Sequence, residues 1–186
     1  NKMVNKQFAS IVFAVMMLLV FSSCADEDTF TTSLFCDFIS DTDRNGYFES
    51  RNYYTFHDLH DVGRSDDITG MKYLGSTITF EGIVPGELMR GDVLRDVYIE
   101  VKGMKPFLYS SSIRIEFDNE KLSYSTRDDP EFYDFMWDVM HRFYKKEELD
   151  IRVYGWVTHN NAGVRDVRMR VTLDNLVDVT VRDYWH

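Results

Sequence analysis

Residues 75–84 read Gly75-Ser76-Thr77-Ile78-Thr79-Phe80-Glu81-Gly82-Ile83-Val84. In an extended chain successive side chains point to opposite sides, so Ile78 and Phe80 share one face and Thr77, Thr79 and Glu81 the other. That alternation describes a strand with one face in a core and one in water. The same period returns along the chain. Val97, Ile99 and Val101 oppose Tyr98, Glu100 and Lys102; Ile113, Ile115 and Phe117 oppose Arg114 and Glu116. Asp118-Asn119 turns the chain into a short strand at 122–124. Further on, Leu149, Ile151, Val153 and Val157 oppose Arg152, Tyr154 and Trp156. Asn160-Asn161-Ala162-Gly163 supplies a turn, and Val167, Met169, Val171 and Leu173 then oppose Arg168, Arg170 and Thr172. Residues 175–181 extend or follow that last strand.

One helix interrupts the strands. Asp129 is a capping residue, Pro130 suits the first turn, and Glu131 complements the positive end of the helix dipole. Phe132, Phe135, Met136, Val139, Met140 and Phe143 fall on one stripe, with Tyr133, Trp137 and Tyr144 beside it. A stripe this wide reads as core rather than as a ligand platform.

Three strands, a helix and a two-strand hairpin resemble the OB-fold, a five-stranded Greek-key barrel with its helix between strands three and four. The residues carrying the resemblance are those of 75–84 together with Ile151-Arg152-Val153-Tyr154-Gly155-Trp156-Val157, two strands that bend at a glycine as closing a small barrel requires. The resemblance implies a barrel over residues 73–186, with 33–72 as an N-terminal extension packed on it. An open β-sandwich with one packed helix is the alternative.

The front of the chain carries a different message. Lys2 and Lys6 precede an apolar run over 11–21 that, at about half the length a membrane-spanning helix needs, is too short to cross a bilayer. A positive start, a short apolar segment and small residues describe a secretory signal over residues 1–23. Ser22-Ser23-Cys24 resembles the lipobox of bacterial lipoproteins, in which the cysteine is acylated and becomes the first residue of the mature chain. Phe21 departs from the leucine common three places before it. Asp26, Glu27 and Asp28 resemble the acidic tag of surface-exposed lipoproteins of the Bacteroidota, with 24–32 as a tether. The resemblance implies a cell-envelope lipoprotein, anchored in the outer membrane through Cys24 and displayed at the surface.

Composition narrows the partners. The 186 residues carry 31 acidic and 21 basic side chains, a net charge of −10, and a cut before Cys24 removes two lysines but no acid. Such a balance opposes binding to a phosphate backbone, so no nucleic-acid partner is expected. Once Cys24 is acylated only Cys36 remains; among Leu34, Phe35 and Phe38 it reads as a small buried hydrophobe.

Candidate chemistry is sparse. Asp41-Thr42-Asp43-Arg44-Asn45-Gly46-Tyr47 resembles the front half of a calcium loop, with Asp41, Asp43, Asn45 and the Tyr47 carbonyl as ligands. Asn52 stands where that pattern needs a bidentate Glu, and aspartates followed by Asn-Gly form turns without any metal, so the turn is the preferred reading. His57 and His60 lack the further ligands a zinc site needs. No G-x-S-x-G elbow or nucleophile–base pair is visible, so an enzyme has no support, a hydrolase included. Arg114, Arg152, Arg168 and Arg170 lie on polar strand faces; in a barrel Arg114 would stand beside Arg168 or Arg170. With Tyr98 and Trp156 as stacking surfaces, that face suits a glycan or an acidic peptide. Neutralisation of the arginines by Glu100 and Glu116 across strands is the blander expectation. The sequence thus suggests a binding or accessory module for a glycan or protein partner, or else a structural subunit of an envelope assembly.

Overall fold

The computed structural model describes residues 27–63, 66–160 and 165–182. Residues 1–23, read above as a secretory signal, Cys24 and most of the Asn160-Gly163 turn lie outside them. Eight strands run in order: β1 (Glu27–Asp41), β2 (Tyr47–Thr55), β3 (Asp67–Gly82), β4 (Val93–Val101), β5 (Phe107–Arg114), β6 (Leu122–Ser125), β7 (Glu148–Thr158) and β8 (Arg168–Arg182). A helix, α1 (Pro130–Lys146), sits between β6 and β7. The strands form two four-stranded antiparallel sheets, β1-β8-β3-β6 and β2-β7-β4-β5. This is the strand order of a jelly roll, a double-sheet sandwich.

The protein is therefore mainly β, a sandwich with one packed helix, and not a closed five-stranded barrel. The barrel expectation counted too few strands. Residues 33–72 supply most of β1, all of β2 and the start of β3, and β1 pairs with β8 along its whole length, from Glu27↔Arg182 to Asp41↔Arg168. Glu27 and Asp28 of the acidic tag thus belong to β1. The period-two signal of β1 is plain: Thr32, Leu34, Cys36 and Phe38 are buried, while Phe35 and Ile39, of the opposite parity, are exposed. Asn175 and the residues after it extend β8 rather than starting a new strand. Phe117, expected to face inward, is 69% exposed, because β5 ends at Arg114 and the chain has already turned.

Chain reversals are built locally. At the β1–β2 corner Gly46 has φ +82°, and a Cβ there would meet the Val157 carbonyl at 2.1 Å, so only glycine fits. Asp129 caps α1 by accepting from the Phe132 amide at 3.0 Å, and Pro130 opens its first turn. Phe132, Met136, Val139, Met140 and Phe143 are buried as the stripe requires, against β3 of the first sheet and β7 of the second.

The two long sides of the sandwich differ. Along the β1–β2 side, the Asp37 amide donates to the Tyr54 hydroxyl at 2.9 Å, the Asn52 side-chain amide donates to the Asp37 carbonyl, and the Glu49 amide donates to Ser40 Oγ at 3.1 Å. Side chains thus stitch these two edge strands together. On the opposite side, β5 and the four-residue β6 leave a cleft between the sheets.

Candidate functional site

The exposed face of the second sheet is built by strand register. β7 lies between β2 and β4, with Trp156 opposite Tyr47 and Arg95, Tyr154 opposite Glu49 and Tyr98, and Arg152 opposite Arg51 and Glu100. Tyr98 reaches that position through a bulge: between Arg95 and Tyr98, β4 spends one residue more than β7, and Asp96 has φ +47°. Without the extra residue the parity of β4 would be reversed beyond Asp96, and Tyr98 would point inward.

The result is a row of rings across three strands. Trp156 and Tyr47 lie 5.1 Å apart, tilted at 52°. Tyr47 continues to Tyr154 at 6.4 Å, and Tyr154 stacks on Tyr98 at 5.1 Å and 13°. All four are half-buried. The Arg152 guanidinium lies 4.5 Å over the Tyr154 ring, a cation–π contact, and is gripped from both neighbouring strands: by Glu100 at 2.6 Å and Glu49 at 3.4 Å. The Glu100 bond raises the pKa of Arg152. The Tyr47 hydroxyl donates to Glu49, which holds the Glu49 carboxyl below its usual value. Partial burial and that bond push Tyr47 up to about 12. Aromatic surface and charged hydrogen-bonding groups are therefore interleaved and mutually fixed.

Of the sequence-derived candidates, Tyr98, Arg152 and Trp156 meet here, and Arg152 is neutralised by Glu100 as the blander reading expected. The other arginines go elsewhere. Arg168 and Arg170 stand on β8 in the first sheet, and Arg114 on β5 at the edge of the second, so Arg114 cannot neighbour either across a strand pair. Arg170 is held by Asp37 at 2.9 and 3.0 Å and by Glu81 at 3.5 Å. Arg168 lies 3.8 Å from Asp41, and Arg114 lies 3.8 Å from Glu116. Tyr47 and Tyr154 were not singled out for their rings. The available signal was an aromatic on the polar side of each of three strands, but parity alone does not say which strands adjoin.

The Asp41-to-Asn52 segment holds the end of β1, a hydrogen-bonded turn over 43–47 and the first part of β2. Asp43 Oδ1 accepts from the Asn45 amide at 2.8 Å and the Tyr47 amide at 2.9 Å, and the Tyr47 carbonyl accepts from the Asp43 amide at 2.8 Å. Asn52 turns to β1 and Asp41 to Arg168, so the oxygens do not converge. Among the described residues no group of three or more His, Cys, Asp or Glu side chains is placed to hold a metal ion. Cys36 is fully buried, and burial pushes its thiol pKa up, which leaves it a poor nucleophile.

One further polar cluster is structural in character. Asp92, 1% exposed, accepts from the Met89 amide at 2.9 Å, the Asn160 amide at 3.2 Å and Arg165 Nη2 at 2.8 and 2.9 Å, with His159 Nδ1 3.2 Å away. It ties the β3–β4 loop to the chain leaving β7.

No family model matches the chain, and no curated protein matches it. Among solved structures it is similar to a chain of the infectious bursal disease virus Gx strain, at a TM-score of 0.34 and 10% identity. That alignment covers 85% of this chain and 37% of the viral one, so this chain spans little more than a third of the viral protein's length. A likeness at this level carries no argument about function.

Proposed function

We propose that this protein is a glycan-binding module of the cell envelope, anchored in the outer membrane through an acylated Cys24 and displayed at the surface. The observation that carries the binding reading is the row Trp156–Tyr47–Tyr154–Tyr98 on an exposed sheet face, with Arg152 fixed between Glu49 and Glu100. Half-exposed rings offer apolar surface to the C–H faces of sugar rings, and the phenol hydroxyls, guanidinium and carboxylates meet their hydroxyl groups. The interleaving of opposite charges favours a neutral, hydroxyl-rich ligand over a polyanion. The anchoring reading is supported by Ser22-Ser23-Cys24 and the acids that follow.

Titration of the protein with neutral hexasaccharides, followed by tryptophan fluorescence and melting temperature, tests the binding face; no response to any of them overturns it. Mass spectrometry of the mature N-terminus tests the anchor. Cys24→Ala should abolish membrane association, and unchanged association removes the lipoprotein reading.

A second reading has its own observation. On the outer face of the first sheet Phe35, Ile39 and Leu176 are 47%, 45% and 45% exposed, which suits docking on a larger envelope protein as a structural subunit. Co-purification of one stoichiometric partner from solubilised membranes, lost in Phe35→Ser, distinguishes it.

A further inference from the structure

We infer that the open side of the sandwich, between β5 and β6, is a second saccharide site; the class of ligand rests on the glycan-binding reading above, the site itself does not. The cleft is open to solvent, with a volume of about 490 Å³, and is lined by Tyr109, Tyr124, Arg114, Glu116 and Asp129. It exists because of chain geometry. β6 is only four residues long and pairs only with residues 77–80 of β3, so the edges of the two sheets are not brought together there as they are at β1 and β2.

The floor of the cleft is preformed. Tyr109 packs on Phe80 at 5.7 Å and edge-on against Phe132 at 5.0 Å, while Tyr124 lies 6.4 Å from Phe80 and 6.3 Å from Tyr109. The Tyr109 ring is therefore seated on the hydrophobic core, and ordering it on binding costs little, while Tyr124, 38% exposed, stands at the rim. Their polar ends are free: neither hydroxyl has a hydrogen-bond partner among the described residues, and neither is among the sealed, unpaired polar atoms. Arg114 is 68% exposed and only loosely paired with Glu116 at 3.8 Å, leaving most of its donors uncommitted.

Two other ligands fit less well. An added peptide strand needs a regular free edge, but Ser110 Oγ accepts from the Ser112 amide at 3.2 Å and donates to the Ser112 carbonyl at 3.1 Å, so the middle of β5 is folded on itself. A polyanion would meet the carboxylates of Glu116 and Asp129 beside one arginine. Two angled phenols with free hydroxyls, one guanidinium and two carboxylates match a neutral sugar. A glycan held at both the ring row and the cleft would gain from the second contact through effective concentration.

The test is a set of amide chemical-shift titrations of the full mature chain with mannohexaose, cellohexaose and xylohexaose. With at least one of them, shifts are expected in 109–116 and 122–129 as well as in 47–49 and 152–156. Tyr124→Ala, and separately Arg114→Ala, should raise the dissociation constant read from the first set at least tenfold while the folded spectrum and the second set persist. Shifts confined to 47–49 and 152–156 overturn the second site and leave the ring row standing. Shifts confined to the cleft uphold the inference and remove the row as the primary site. No shift anywhere with any sugar overturns both.

Discussion

The two sheets differ in where they place hydrogen-bonded polar groups and stacked rings. The first sheet sets a buried polar chain into an otherwise apolar inner face, and on its outer face carries ion pairs beside the exposed Phe35, Ile39 and Leu176. On its inner face Asn175, fully buried, accepts from Ser76 Oγ at 2.6 Å and donates to the Leu34 carbonyl at 3.1 Å, and Ser76 in turn meets the Tyr73 hydroxyl at 2.8 Å. On its outer face Arg170 is shared by Asp37 and Glu81, and Arg182 is taken by Glu27 at 2.7 Å. The second sheet turns Phe48, Leu94, Val97, Ile99, Val101, Leu149, Ile151, Val153 and Val157 inward and carries the row Trp156–Tyr47–Tyr154–Tyr98 outside. A dry inner face needs no outer aromatics for stability, because the apolar area is already removed from water on the other side. Rings left half in water on such a sheet are therefore the ones available to a ligand. The buried hydrogen-bond chain of the first sheet fixes strand register instead, since a one-residue slip would strand every group in it.

The largest expected effect lies in the first sheet. Asn175→Ala takes the acceptor from the Ser76 hydroxyl, which keeps only Tyr73, and the side-chain donor from the Leu34 carbonyl, at about 1–3 kcal/mol for each buried group. Urea denaturation should show a loss of about 3 kcal/mol; a loss below about 1 kcal/mol means that the chain is not a structural requirement. The next effect separates the outer faces. Trp156→Ala should weaken hexasaccharide binding at least tenfold, about 1.4 kcal/mol, with little change in melting temperature. Arg170→Ala should leave binding untouched and cost under about 1 kcal/mol of stability, as exposed ion pairs do. Equal losses of affinity in the two variants would erase the distinction between the faces.

Asp43→Ala should cost about 1 kcal/mol, because two turn amides lose their acceptor. Millimolar calcium should leave the melting temperature of the unaltered protein unchanged, since the Tyr47 carbonyl is already engaged; a clear rise would favour the metal reading of that loop. The smallest effect is one of pH. Glu49 has a lowered pKa in the folded protein, so its contribution is present above about pH 4.5 and is lost as the pH falls through the lowered value. Glu49→Gln should flatten that acid limb and leave neutral pH unchanged, whereas an identical acid limb shows that other carboxylates set it.

Much of the second sheet and the helix was legible in the chain. Period two placed β4 and β7 on their strands with the observed faces, and the Asp129 cap, Pro130 and the apolar stripe marked the start and buried side of α1. β1 was missed for a physical reason: its polar, acidic beginning reads as solvated tether, and only pairing with β8 gives its alternation a core to face. The bulge at Asp96 was equally hidden, because it appears only when β4 is laid against β7.

Side-chain alternation by itself determined that this is a mainly β protein with one amphipathic helix, and which residues of most strands face the core. That information is local, fixed by the two-residue repeat of an extended chain and the 3.6-residue repeat of a helix. Strand order, the choice of a sandwich over a barrel, the separation of Arg114 from Arg168 and Arg170, and the meeting of Tyr47, Tyr98, Tyr154 and Trp156 were decided only by the tertiary structure. Each depends on pairing between segments far apart in the chain, Glu27 with Arg182 at the extreme, and alternation is the same whichever neighbour a strand finds.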